Sequence, residues 1–178
     1  MRWERLFDDL EAQFAQEERA ELLAEIADRT RRERAGVHLV DRLAAATGPV
    51  SFLLPGERGI KGVVTDVGKD FCLVTGETRH LIRLAAALQV RGLGRGSVGP
   101  REGTAIRRFG LGYALRALAR DRCTVLLSDV TGRDVVGRLG AVGADYVEVA
   151  PERESGSSRR PHEVCIVPFS ALAVVTAV

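Results

Sequence analysis

Two stretches of the chain carry one pattern: Gly62-Val63-Val64-Thr65-Asp66-Val67-Gly68-Lys69-Asp70-Phe71-Cys72-Leu73-Val74 and Gly137-Arg138-Leu139-Gly140-Ala141-Val142-Gly143-Ala144-Asp145-Tyr146-Val147-Glu148-Val149. Placing Gly62 on Gly137, an offset of 75 residues, also places Val64 on Leu139, Val67 on Val142, Gly68 on Gly143, Asp70 on Asp145, Phe71 on Tyr146 and Val74 on Val149. Stacked arrays repeat every roughly 20 to 50 residues, so the longer interval marks two copies of a small folding unit. Within each copy, apolar residues alternate up to a Gly-x-Asp corner and resume after it, the pattern of two strands joined by a tight turn. The expectation is that Gly68 and Gly143 take backbone angles that a side chain resists, while Asp70 and Asp145 brace the corner through nearby amides.

The same offset extends outward from the corner. Leu43 meets Leu118 and Val50 meets Val125, so each copy reads as a short helix, 37–46 or 111–121, followed by five strands. The strands are expected at 50–54, 59–66, 71–75, 79–84 and 87–90, and again at 123–128, 134–141, 146–149, 164–168 and 172–176. Many short strands with Gly-rich turns indicate a small barrel. The copies differ in one loop, where the second carries the Ser-, Arg- and Pro-rich insertion 151–161. The Gly-rich stretch 92–100 has the composition of a linker; its Gly92-x-Gly94-x-Gly96 lacks the spacing of a dinucleotide cradle and no helix follows at once.

Ahead of the repeats, residues 3–34 contain no Gly or Pro, and Trp3, Phe7, Leu10 and Phe14 fall at spacings of four, three and four. That is one stripe of a helix about 45 Å long, which calls for a covering partner. A homodimeric coiled coil or helical hairpin supplies one cover, and packing along both barrels of the same chain supplies another. The sequence therefore divides into an N-terminal helix (1–35), a first barrel (36–92), a linker (93–108) and a second barrel (109–178). The fold class is α+β, mainly β.

Of 178 residues, 46% are apolar, enough for real cores, and the net charge of +2 biases the whole molecule toward neither nucleic acid nor membrane. Charge is unevenly placed. Residues 1–35 hold seven arginines against ten acids, a net of −3, whereas residues 91–122 hold eight arginines against Glu102 and Asp121, a net of +6. Arginine greatly outnumbers lysine, which codon bias alone would produce. Cys72, Cys123 and Cys165 have no metal or redox spacing and fall among apolar strand residues, where buried thiols in a reducing compartment are expected. No apolar run has the length of a signal-peptide core or a membrane span, so the expected location is cytoplasmic.

A helix followed by five short strands, with G-x-h-x-x-h-G-x-D-[FY] across the second and third strands (h, apolar) and Val167-Pro168-Phe169-Ser170-Ala171-Leu172 near the end, resembles the Sm-like family. The resemblance covers 36–92 and 109–178 and implies tandem Sm-like five-stranded barrels, ring-forming assembly and RNA binding. The PRC-barrel also uses a G-x-h-x-x-h turn. The family's RNA-site residues are replaced here by Gly68 and Cys72 in one copy and by Gly143 and Val147 in the other. Its Ile-Arg-Gly motif survives only as Ile82-Arg83-Leu84, which leaves Arg83 as the carried-over contact, and the Lys-His pair of Hfq-type members is missing.

No spacing indicates catalysis, a cofactor or a metal site; His38, His80 and His162 stand singly. Two functions from different classes remain. One is RNA binding through Arg83, Arg107, Arg108 and Arg116, with Phe109 and Tyr113 either as a stacking platform or, with Leu118, as the buried face of the second short helix. The other is a scaffold in which Trp3, Phe7, Leu10 and Phe14 engage a protein partner. Either way a homo-oligomer, dimer or larger, is expected.

Overall fold

The computed structural model describes residues 2–99, 104–151 and 164–178; within the first helix, side chains are described at Phe14 and from Gln16 onward. Two bodies result, 2–38 and 39–178. The first is helix α1 (Arg2–Ala35), which runs unbroken because no Gly or Pro interrupts it and closes where Gly36 and Val37 donate back to the Glu33 and Arg34 carbonyls. Its arginines gather toward the C-terminal end, where the helix dipole favours cations. Arg29 pairs with Glu33 and Arg31 with Asp28 along its surface. Phe14, Leu22, Leu23 and Ile26 are exposed, and the adjacency of Leu22 and Leu23 spreads them over more than one stripe. The side chains of Trp3, Phe7 and Leu10 lie outside the described residues.

The second body begins with α2 (Leu39–Ala44) and contains α3 (Leu111–Asp121) and ten strands: β1 (Pro49–Leu54), β2 (Arg58–Val67), β3 (Phe71–Thr75), β4 (Arg79–Arg83), β5 (Gln89–Arg91), β6 (Thr124–Asp129), β7 (Asp134–Val142), β8 (Tyr146–Pro151), β9 (Cys165–Pro168) and β10 (Leu172–Ala177). All ten expected strands are present. Single 3-10 turns, Leu84–Ala86 and Phe169–Ala171, precede β5 and β10 at equivalent places.

The duplication holds at the level of register. Val50 pairs with Gly62 and Val125 with Gly137; Val64 pairs with Val74 and Leu139 with Val149; the ladder then slips at Val64/Asp66 in one copy and at Leu139/Val142 in the other. Beyond the second-copy insertion the offset becomes 85, so that Phe71 pairs with Arg83 and Tyr146 with Pro168. Each half has the strand order last, first, second, third, fourth.

The expectation of two separate barrels is corrected. The strands form one continuous antiparallel sheet in the order β5-β1-β2-β3-β4-β10-β6-β7-β8-β9. The junction is β4 against β10, with Ile82 opposite Val174, Leu81 opposite Val175 and His80 opposite Thr176. Alternation along these strands sends neighbouring side chains to opposite faces. Ile82 and Val174 join Val50, Phe52 and Val74 under Leu43 of α2, while Leu81 and Val175 join Val125, Leu127 and Val149 under Leu111 and Leu115 of α3. Phe71, fully buried, belongs by sequence to the first copy and by packing to the second core. Burying such a side chain is worth roughly 1.5–3 kcal/mol.

Two local expectations also change. Neither Gly68 nor Gly143 has a positive φ. Glycine is required because a Cβ would enter the Phe71 ring at one position and the Tyr146 ring at the other, as Gly68 donates to the Phe71 carbonyl and Gly143 to the Tyr146 carbonyl across the corner at 2.9 Å each. Of the thiols, Cys72 is buried as expected, with its pKa pushed up to about 12 by desolvation, whereas Cys165 is only half-buried and Cys123 is exposed.

Candidate nucleic-acid interface

The basic stretch after residue 91 is tied down more firmly than a linker. The Val98 amide donates to the Asp41 carbonyl at 3.0 Å and Arg42 Nη2 donates to the Gly94 carbonyl at 2.7 Å, so segment 93–99 lies against α2. Arg107, at the end of the 3-10 turn Ala105–Arg108, points inward and pairs with the Asp41 carboxylate; the two side chains are only 8% and 10% exposed. Its Nη1 also donates to the Val98 and Gly99 carbonyls, each at 2.9 Å. Arg107 also lines an open pocket of about 250 Å³ of mixed character, with Leu43, Val64 and Val67 beside Thr65, Asp66 and Thr104. Adjacent Arg108 is exposed and makes no hydrogen bond or ion pair among the described residues.

Helix α3 follows at once. Its N-cap, Gly110, has no side chain to offer, and the Asp70 carboxylate from the β2–β3 corner accepts the Leu111 amide at 2.7 Å instead. The Lys69 amide donates to the Phe109 carbonyl at 2.9 Å beside it. The first-copy corner thus holds the start of the second-copy helix, a different task from the one expected of Asp70. A carboxylate there satisfies an orphan amide and suits the positive end of the helix dipole.

The buried face of α3 is Leu111, Ala114 and Leu115, with Leu118 partly buried beside them. That phase turns Tyr113, Arg116 and Arg120 outward. Phe109 and Tyr113 are 41% and 44% exposed, and their rings stack with centroids 4.2 Å apart and planes 17° from parallel. The reading that places them in the helix's buried face is therefore corrected; Leu118 alone of that trio packs inward. Arg116 Nη2 donates to the Gly143 carbonyl at 3.1 Å in the exposed β7–β8 corner. A Cβ on Gly112 would lie 3.2 Å from the Phe169 ring and 3.6 Å from Arg116 Nη1, which puts the 3-10 turn before β10 against the same helix end. Arg83 reaches that turn from β4, donating from Nη1 to the Ser170 carbonyl at 2.9 Å and the Leu172 carbonyl at 3.4 Å.

The four arginines singled out by sequence therefore have three placements. Arg108 and Arg116 are exposed at chain positions next to and one turn beyond the aromatic pair, Arg83 clamps the junction of the two halves, and Arg107 is buried in an ion pair. Phe14, from the other candidate set, is exposed on α1. Lys69, which sequence reasoning missed, stands exposed next to Phe109; the only available signal was its place in the repeated corner, where the second copy has Ala144.

Other chemistry is sparse. Among the described residues no three His, Cys, Asp or Glu side chains group closely enough to hold a metal ion. His80 shares hydrogen bonds with Thr78 (3.0 Å) and, across the β4·β10 junction, with Thr176 (2.9 Å); burial, then nearby Arg58, hold its imidazole below the ordinary value. The Asp129 carboxyl is held below the usual carboxylate value because the Thr131 hydroxyl and then the Arg133 and Thr131 amides bond to it in the β6–β7 turn. Arg58 Nη2 reaches both Asp134 oxygens at 2.8 and 2.6 Å, and Ser128 donates to the same carboxylate at 2.6 Å, tying the halves together again. No helix among the described residues is long and apolar enough to cross a membrane. No protein-family model matches the chain, and neither the curated proteins nor the solved structures contain a match to it.

Proposed function

We propose that the chain is a non-enzymatic RNA-binding module built from two tandem Sm-like halves, and that single-stranded RNA engages it at the start of α3. The observation that carries this reading is the exposed, mutually stacked pair Phe109 and Tyr113, with exposed Arg108 next to Phe109 in the chain and exposed Arg116 one helical turn beyond Tyr113. A base stacks on the outer face of the pair regardless of sequence, worth roughly 1–3 kcal/mol per base, while the arginines and Lys69 neutralise phosphates. Arg83 stands beside this surface with one nitrogen committed to the Ser170 and Leu172 carbonyls. Arg107 is left out of the proposed contact set because its charge is already balanced by Asp41.

Fluorescence anisotropy with a labelled single-stranded RNA of mixed sequence tests this. Replacing Phe109 and Tyr113 with Ala should weaken binding about 5- to 150-fold for each base that stacks. Replacing Arg108 and Arg116 with Ala should flatten the logarithmic salt dependence by up to about 1.4, two single-strand phosphate contacts. Failure to bind any RNA at low salt, or equal binding by wild type and both variants, rules the reading out. A second reading, a scaffold, has its own observation: the exposed Phe14, Leu22, Leu23 and Ile26 of α1, which the helix of a second copy would cover.

A further inference from the structure

The two copies build the same irregularity from different residues. In the first, the β2·β3 ladder slips between Val64 and Asp66; in the second, the β7·β8 ladder slips between Leu139 and Val142. The offset of 75 sets Thr65-Asp66 against Gly140-Ala141, so the second copy makes its bulge with no polar side chain at these places. The backbone therefore does not require the Asp66 carboxylate. Bulges commonly re-aim a side chain beside a binding site, and the surroundings of Asp66 fit that use.

Asp66 lines the open pocket of about 250 Å³ together with Leu43, Val67, Thr104 and Arg107. Of the two charged residues in that lining, Arg107 is committed to Asp41 and to the Val98 and Gly99 carbonyls. Asp66 is half-buried, and among the described residues its carboxylate makes no hydrogen bond or ion pair. A carboxylate only accepts, at two oxygens, and covering it without donors is unfavourable. What it lacks is a pair of N–H groups. The neighbourhood decides what should carry them: Phe109 follows Arg107 by two residues, at most about 7 Å of chain, and Arg108 and Lys69 on either side of it are exposed. A cationic ligand would meet those positive charges, whereas a neutral donor edge on an anionic chain suits both the carboxylate and the arginines. Guanine is the RNA base that presents two adjacent N–H donors, N1–H and the N2 amine, on one edge; adenine and cytosine pair one amine with an acceptor, and uracil has a single N–H between carbonyls. Resting on the RNA-binding reading above, we propose that the pocket is a guanine subsite: a base next to the one stacked on Phe109 and Tyr113 enters it and donates N1–H and N2–H to the two Asp66 oxygens. The stacking surface takes any base, and Asp66 determines which neighbour is preferred.

Fluorescence anisotropy with the full chain and labelled oligoadenylates tests this. An oligoadenylate with one central guanine should bind about 5- to 150-fold more tightly than the unsubstituted oligomer, the discrimination of one good bidentate pair. Inosine at the same place, which keeps N1–H and lacks the N2 amine, should bind more weakly than guanine, and cytosine or uracil there should give no gain. These comparisons are made on wild type and need no variant. Asp66→Asn, close in shape but with one acceptor oxygen turned into a donor, should bring the guanine oligomer down to the adenine value while melting as wild type does. An oligoadenylate that binds with no gain from guanine, inosine equal to guanine, or a guanine preference that survives Asp66→Asn overturns the subsite and leaves the stacking surface standing. Failure of every oligomer to bind at low salt removes both.

Discussion

Arg107 and Arg108 are adjacent and chemically identical, and the structure gives them opposite fates. Replacing Arg107 with Ala removes a charged partner of Asp41 in a site where both side chains are about nine-tenths covered, and leaves the Val98 and Gly99 carbonyls without the guanidinium that bridges them. Removing one partner of such a pair costs about 3–5 kcal/mol. At roughly 3 °C per kcal/mol for a chain of this size, the melting temperature should drop by about 9–15 °C. Replacing exposed Arg108 with Ala should change stability by no more than about 0.5 kcal/mol. Differential scanning calorimetry of the two variants beside wild type reads the contrast directly. In about 1 M salt the gap should persist, since a covered pair is poorly screened. A double-mutant cycle with Asp41→Asn should show a coupling of about 0.5–3 kcal/mol. If Arg107→Ala melts no lower than Arg108→Ala, or the cycle is additive, the inward placement of Arg107 is wrong and its guanidinium returns to the surface as a candidate phosphate contact.

His80 is held neutral more firmly in the native state than in the unfolded chain, so its protonation favours unfolding. Stability from this group should be complete above the unfolded value near 6.5 and decline as pH falls through the lower native value; urea titrations between those limits should show the decline, and His80→Gln should reduce it. Gly62→Ala should cost about 1–3 kcal/mol by thermal melting, because the new methyl would lie 2.5 Å from the Thr75 carbonyl oxygen. Gly137→Ala should behave alike against the Ala150 carbonyl, while Gly48→Ala, with nothing within 4 Å, should be nearly silent; equal melting of all three would refute the packing argument.

The strands were legible in this sequence because period-two alternation and the repeated Gly-x-Asp corner are local signals, and the offset of 75 carried register from one copy to the other. What joins the copies was not legible. A strand that pairs within its own half reads the same as one that also pairs outside it, and nothing near His80, Leu81 and Ile82 announces that Thr176, Val175 and Val174 will lie beside them. The inward turn of Arg107 escaped for a similar reason: its partner, Asp41, is 66 residues away, and counting charge along a segment cannot separate a buried arginine from a solvated one. The face of α3 was legible in principle. Leu111, Ala114, Leu115 and Leu118 satisfy the helical period on their own, which leaves Phe109 and Tyr113 outside the buried stripe.

The position of β10 also sets a schedule. Val174 completes the core beneath α2, yet it follows its neighbour Ile82 by 92 residues. A ribosome adding about 5–20 residues per second needs roughly 5 to 20 s to travel that distance. For most of that interval, from residue 91 onward, the first half has all five of its own strands synthesised while β4 still lacks β10, its neighbour at the junction. The β4·β10 junction therefore forms only after the whole second half has been made, and until then an unpaired β4 edge is open to capture by the wrong strand.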